Sequence, residues 1–376
     1  MSAPKRILLL AGEESGLFYA ERLQQALKNA SSDELLFRGY QSEGFKTGDL
    51  AVMGFGPVLK KLFFFLGVAR TMKRIIREWK PDVVVTIDYP GLNLKLAAFA
   101  KQRGVPAIHL VCPQVWAWHQ NRIPKVAAAL TKLLCFFPFE PKLFDKTGLQ
   151  ARFIGHPMAD VFAQERVQKT SADSVSGRTL AILPGSRVVE ISRILPRLLL
   201  TVKQLLDVHA DLRVVLPAAN EKAEHLIRSL VEGAGLQAVV QIQKGRARDL
   251  LRQATCAVVA SGTATLEAAL ARCPTVLVYA VSPGLAWFAR RVIKDIHYIG
   301  LANVIWEKSG GTGESPMPEL LQEAFTPEAV TGILQSWLED ESSRQSAVRR
   351  LDASMALLQS DGDALGLAAR EILQVL

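Results

Sequence analysis

Ser261, Gly262 and Thr263 close an unbroken apolar run over 257–260 and open a short helical stretch. Backbone N–H groups at such a turn can hold a phosphate or sugar oxygen. Glu267 follows Thr263 by four residues. On a helix that is one turn, so its carboxylate faces the same side as the small residues and can accept two ribose hydroxyls. These features make half a nucleotide site. Taken alone, the segment also reads as a plain strand-to-helix connection in which Glu267 is a cap or a solvated residue.

Further groups stand at matching places. Gly12, Ser15 and Gly16 of AGEESG lie between the first apolar run and the first helical stretch, where glycines permit a tight turn and close ligand approach. Gly185, Ser186 and Arg187 of LPGSR do the same after a second such run, and Arg187 adds a guanidinium suited to a diphosphate. Asp88 ends a run of Val and Ile in TIDYPGLN. A carboxylate there is costly unless used or paired, so Asp88 reads as a group for ligand chemistry or as a helix N-cap or turn aspartate, with Asn93 as a ligand or a structural partner. Trp116, Trp118, His119 and Arg122 follow another apolar run, as binding groups or as core aromatics.

The elements that must carry these residues alternate apolar runs with amphipathic helical stretches, the pattern of parallel α/β sheets. Strands are expected over 6–10, 82–87, 107–111, 132–136 and 151–153, then over 180–183, 212–216, 238–242, 257–260 and 275–279. Ser-rich 166–178 separates the sets. The fold class is therefore α/β, with two Rossmann-like domains facing a central crevice as the natural place for ligands: residues 1–165, a linker at 166–178, residues 179–342, and a C-terminal helical segment 343–376 packing back on the first domain. Residues 307–318 read as a flexible loop. The last helix, over 343–375, is long enough to be exchanged between copies, which leaves a homodimer open.

The 376-residue chain has a net charge of +9 and mean hydropathy +0.17. Residues 1–165 hold 22 Lys and Arg against 14 Asp and Glu, so nearly all of the excess charge is N-terminal. No recognition-helix or aromatic-interleaved basic pattern accompanies it, which argues against nucleic acid and for an anionic surface or substrate. No apolar stretch approaches the ~20 residues of a membrane span. Cys112, Cys135, Cys256 and Cys273 show no metal-binding spacing, so no metal and no cofactor is expected. They read as buried thiols of a reducing cytoplasm. Leu62, Phe63, Phe64, Phe65 and Leu66 form an apolar block flanked by Lys60, Lys61, Arg70, Lys73, Arg74, Arg77 and Lys80. One helix stripe cannot bury all five, so some are expected at an anionic membrane surface.

In order and spacing AGEESG, LAVMGF, TIDYPGLN, CPQVWAWHQNRI, FFPFEPKLFDK, FIGHPMAD, LPGSR, ASGTATLEAAL and GLANVI resemble the lipid-A-disaccharide synthase family, over nearly the whole chain. The resemblance implies an inverting, metal-independent glycosyltransferase of the glycosyltransferase-B fold, peripheral on the cytoplasmic face of a bacterial inner membrane. Its reaction would move 2,3-diacylglucosamine from UDP to the 6-hydroxyl of 2,3-diacylglucosamine 1-phosphate, forming a β-1,6 disaccharide. It implies Asp88 as general base, Arg187 and Asn303 on the donor side, Ser261, Gly262, Thr263 and Glu267 around the nucleotide, and His156 of FIGHPMAD among the binding residues. The chain departs from the family pattern at Leu17 and Gly91, where acidic residues are usual, in the shorter loop GYQSEG, and in VIWEKSGG after Asn303.

Overall fold

The computed structural model describes residues 3–12, 14–45, 58–117, 120–168, 177–282, 284 and 297–376, the side chains of 14–15, 58–62 and 166–168 excepted. It divides into one unit of Met1–Asp160 with Leu358–Leu376 and another of Val161–Leu357.

The first unit is built on a parallel sheet of β1 (Lys5–Ala11), β2 (Leu35–Arg38), β3 (Val83–Ile87), β4 (Ala107–Leu110), β5 (Lys132–Cys135) and β6 (Gln150–Phe153), in the order β2-β1-β3-β4-β5-β6. Successive strand side chains point to opposite faces, and both faces are covered. Ile7, Leu9, Val83 and Val85 pack with the helices Glu14–Ala30 and Ala364–Leu373. Leu8, Leu10 and Val84 pack with Val58–Glu78 and Pro90–Lys101. This two-sided burial explains why the strands read as continuous apolar runs.

The second unit repeats the plan with β7 (Thr179–Leu183), β8 (Arg213–Ala218), β9 (Val240–Lys244), β10 (Cys256–Ala260), β11 (Thr275–Tyr279) and β12 (Glu319–Leu321), all parallel, in the order β12-β11-β10-β7-β8-β9. The strand order reverses between β1 and β3 in one unit and between β7 and β10 in the other. The carboxyl ends at such switch points are where open α/β sheets bind ligands.

Some expectations change. The single helix over 343–375 is two helices, Glu341–Ala356 in the second unit and Ala364–Leu373 in the first. Gly362 at φ +138° breaks the chain between them, and Asp363 caps the later helix by accepting the Gly366 N–H at 2.6 Å. Helix Pro157–Gln168 runs through the start of the expected linker, and residues 169–176 lie outside the described residues. The 307–318 segment is anchored at its far end, where Met317 is fully buried. Among the described residues no helix is long and apolar enough to cross a membrane.

Candidate active site

Asp88 leaves the end of β3 at the switch point of the first sheet. It and Tyr89 both have φ +50°, a left-handed conformation that non-glycine residues hold only when their surroundings enforce it. The enforcing group is Asn93. Its side-chain nitrogen lies 3.3 Å from the Leu10 carbonyl, 3.2 Å from that of Ile87 and 2.8 Å from that of Asp88, and its Oδ1 accepts the Tyr40 hydroxyl at 2.6 Å. Asn93 is fully buried, and it clamps the ends of two strands. Burial pushes the Asp88 carboxyl above the ordinary aspartate range, while the Tyr89 N–H, donated to Oδ1 at 2.8 Å, pulls the other way. Gly12, at the end of β1, lies under the Tyr89 ring, where a Cβ would stand 3.0 Å from ring carbons. Gly16 sits in the following helix over Ala11. The Ser15 side chain lies outside the described residues.

Beyond β4, Trp116 is buried and its Nε1–H donates to Glu140 Oε1 at 3.3 Å, while Oε2 of the same carboxyl accepts the Phe137 N–H at 3.1 Å. Trp118 and His119 lie outside the described residues. Arg122 is exposed. His156 is buried between the Phe136 and Phe137 rings, and its Nδ1 accepts the Met158 N–H at 3.2 Å at the start of a helix. Burial lowers its pKa to about 4, so it is neutral at physiological pH and serves as a cap. Cys112, Cys135 and Glu140 bring potential ligand atoms within 4.8 Å of one another. The Cys135 thiol and burial push Cys112 up, while burial pushes Cys135 up and Glu140 to about 8.

In the second unit, LPGSR follows β7 and the Ser261 turn follows β10, so the two segments flank the other switch point. Gly185 has φ +107°, and a Cβ there would lie 2.6 Å from Glu190 Oε2. Ser186 and Arg187 are exposed at the N-terminus of helix Val188–Val208. The Arg187 guanidinium donates to Glu190 Oε1 at 3.1 Å and its backbone N–H to Oε2 at 3.4 Å. Gly262 precedes helix Thr263–Leu270, on which Glu267 is half-buried. Burial raises the Glu267 pKa, and Arg248 opposes that.

Asn303, expected as a donor-side ligand, is fully buried. Its Nδ2 donates to the Met317 carbonyl and to Glu319 Oε1, both at 2.8 Å, and its Oδ1 accepts the Met317 N–H at 2.9 Å. Glu319 also accepts the Ile299 and Gly300 N–H groups at 2.9 Å. Asn303 thus clamps its loop, as Asn93 clamps the strand ends of the other sheet. Glu140, Glu190, Arg248 and Glu319 were absent from the sequence-predicted set. Glu190 has a local partner, standing three residues after Arg187, whose backbone N–H it accepts.

The apolar block on helix Val58–Glu78 divides by face. Phe63 is 66% exposed and Leu66 40%. Phe64 packs against Phe45, and Phe65 lies against Tyr89. Leu62 lies outside the residues whose side chains are described.

Two parallel six-stranded sheets, each with a switch point in its strand order, define an α/β protein of the glycosyltransferase-B type. Solved structures share the fold at low identity. UDP-GlcNAc 2-epimerase from Neisseria meningitidis, bound to UDP-GlcNAc, has a TM-score of 0.64 at 10% identity, covering 98% of this chain and 100% of that one. A UDP-forming α,α-trehalose-phosphate synthase from Burkholderia xenovorans has a TM-score of 0.54 at 14% identity, covering 99% and 98%. The sequence narrows the class. A model of the lipid-A-disaccharide synthetase family matches residues 7–368. Lipid-A-disaccharide synthases from Saccharophagus degradans (34% identical, 100% of this chain and 98% of that one) and Klebsiella pneumoniae (36%, 90% and 89%) are similar throughout. The chain belongs to the lipid-A-disaccharide synthase family and is a glycosyltransferase.

Proposed function

We propose that the chain transfers 2,3-diacylglucosamine from UDP to the 6-hydroxyl of 2,3-diacylglucosamine 1-phosphate, with inversion at the transferred carbon and release of UDP. Asp88 is the general base. It takes the proton of the acceptor hydroxyl as that oxygen bonds the anomeric carbon and the carbon–diphosphate bond breaks. A carboxylate whose pKa burial has raised is a stronger base than a solvated one. The leaving diphosphate is stabilised by Arg187 and by the backbone N–H groups at the N-termini of helices Val188–Val208 and Thr263–Leu270. Ser261, Gly262 and Thr263 border the nucleotide, and Glu267 accepts the ribose hydroxyls. Asn93 and Asn303 position these segments without touching substrate.

The observation that carries the reading is the placement of Asp88: a half-buried carboxylate at a switch-point strand end, held in a left-handed turn by a fully buried clamp. Mass spectrometry of the product from labelled UDP-diacylglucosamine and the monosaccharide 1-phosphate tests it. A tetraacyl disaccharide 1-phosphate carrying the label is expected; hydrolysis or epimerisation of the donor alone would overturn it.

The lipid substrates lead to a second part of the proposal. Phe63 and Leu66, exposed beside Arg70, Arg74 and Arg77 on one helix, dock the protein on the anionic inner leaflet, where it works as a peripheral enzyme.

A further inference from the structure

Helix Pro90–Lys101 begins two residues after Asp88 and packs against helix Ile123–Ala129. Between them lies a groove of about 470 Å³. Leu94, Ala98, Val126 and Ala129 give it an apolar lining, while Lys95, Lys101, Arg122 and Lys125 line it as well, with no acidic residue among them. Lys101 is tied to the Leu130 carbonyl. Lys95, Arg122 and Lys125 are exposed and enter no ion pair among the described residues.

An apolar floor beneath unpaired cations is complementary to an anionic amphiphile. Pro90 and Gly91, which also line the groove, stand two and three residues after Asp88 in the chain. The space where a Gly91 side chain would stand is open. The longer helix extends about 18 Å, the scale of an extended fatty acyl chain. We propose that this groove is the subsite for the phosphorylated lipid acceptor. One acyl chain lies along Leu94, Ala98 and Val126, and the phosphate meets Arg122 and Lys125. The inference rests on the acceptor named above, which combines acyl chains with a phosphate.

Acceptor binding without donor, measured by calorimetry in mixed micelles, tests it independently of turnover. Ala98→Phe fills the floor and should weaken binding of 2,3-diacylglucosamine 1-phosphate by ~10-fold or more while leaving glucosamine 1-phosphate unaffected. Lys125→Glu, at an exposed position that cannot compromise the core, should weaken the phosphorylated lipid ~10-fold and its dephosphorylated form much less. Unchanged binding in both variants overturns the proposal. So does an equal loss with acylated and deacylated sugars in Ala98→Phe, which would mark a damaged fold. A loss of sedimentation with phosphatidylglycerol vesicles at unchanged acceptor affinity would instead make the groove a membrane contact. Failure of the wild type to form disaccharide while these binding differences hold would overturn the transferase reading and leave the subsite standing.

Discussion

The Tyr40 hydroxyl donates to Asn93 Oδ1 at 2.6 Å, and both residues are fully buried. Through the Asn93 amide this contact reaches the carbonyls of Leu10, Ile87 and Asp88. The ends of β1 and β3, and with them the turn that presents Asp88, therefore depend on one phenol. Tyr40→Phe leaves a buried acceptor without its donor, which costs about 1–3 kcal/mol. Urea denaturation should show that loss, with turnover reduced and UDP affinity unchanged. An unshifted midpoint would mean the clamp does not bear on stability.

Asp88→Asn removes the proposed base and keeps its shape. Turnover should fall by ~10²–10⁴, with UDP affinity preserved. The pH profile supplies a second readout. The base works only when deprotonated, so activity falls as pH drops through its pKa. Because burial raises that pKa, the acid limb of kcat/KM should lie above the usual aspartate value of ~3.9. A variant that retains near-normal turnover would return the role to another group.

Much of this site is legible in the chain because its chemistry sits where a pattern breaks. Asp88 interrupts a Val/Ile strand, and Gly185 and Arg187 follow one. Other parts are invisible for physical reasons. Asn93 and Asn303 stand out as polar residues, but whether an amide meets substrate or backbone depends on carbonyls up to 83 residues away. Glu319 reaches Ile299, Gly300 and Asn303 only after β12 has paired with β11. The edge strands β2 and β12 are short and only partly buried, so they lack the apolar runs that mark the others. The break between the last two helices did have a local signal, Ser360-Asp361-Gly362-Asp363, a turn sequence outweighed by the helical periodicity on either side.

Glu140 gives a stability prediction. Its pKa is raised to about 8 from 4.5, chiefly by burial. A carboxyl whose folded pKa exceeds its unfolded one contributes stability that is fully present below the unfolded value and is lost as pH rises through the folded value. The loss therefore falls between about pH 4.5 and 8, at no more than about 1.4 kcal/mol per pH unit. Glu140→Gln cannot ionise and should flatten the curve over that window. At low pH it should be the less stable form, because one amide oxygen must replace two carboxyl oxygens that accept from Trp116 and Phe137. Urea titrations at several pH values check this; a difference between the two proteins that stays constant with pH would contradict it.

Glu267 should be read by ribose chemistry. If its carboxylate accepts the ribose hydroxyls, Glu267→Gln narrows the preference for UDP over 2′-deoxy-UDP, since a site built to bond a hydroxyl discriminates through that bond. Arg187→Ala should instead weaken both nucleotides together, because it acts on the diphosphate. Calorimetry with the two nucleotides separates these outcomes, and an unchanged preference in Glu267→Gln would leave that residue a structural group.

The membrane prediction turns on helix faces. Phe63 and Leu66 lie three residues apart and point outward, whereas Phe64 and Phe65 pack against Phe45 and Tyr89. Burying each exposed side chain in a bilayer interface is worth about 1.5–3 kcal/mol at most, and each nearby Lys or Arg adds about 1 kcal/mol at an anionic surface. Together these terms suffice for reversible, salt-sensitive docking. Phe63→Ser with Leu66→Ser should therefore abolish most sedimentation with anionic vesicles, leaving the melting temperature and UDP affinity unchanged. Phe64→Ser should do the reverse, lowering the melting temperature by removing a ring from the core while the outward face still binds vesicles. If the outward pair is silent in sedimentation, this helix is not a membrane-docking face.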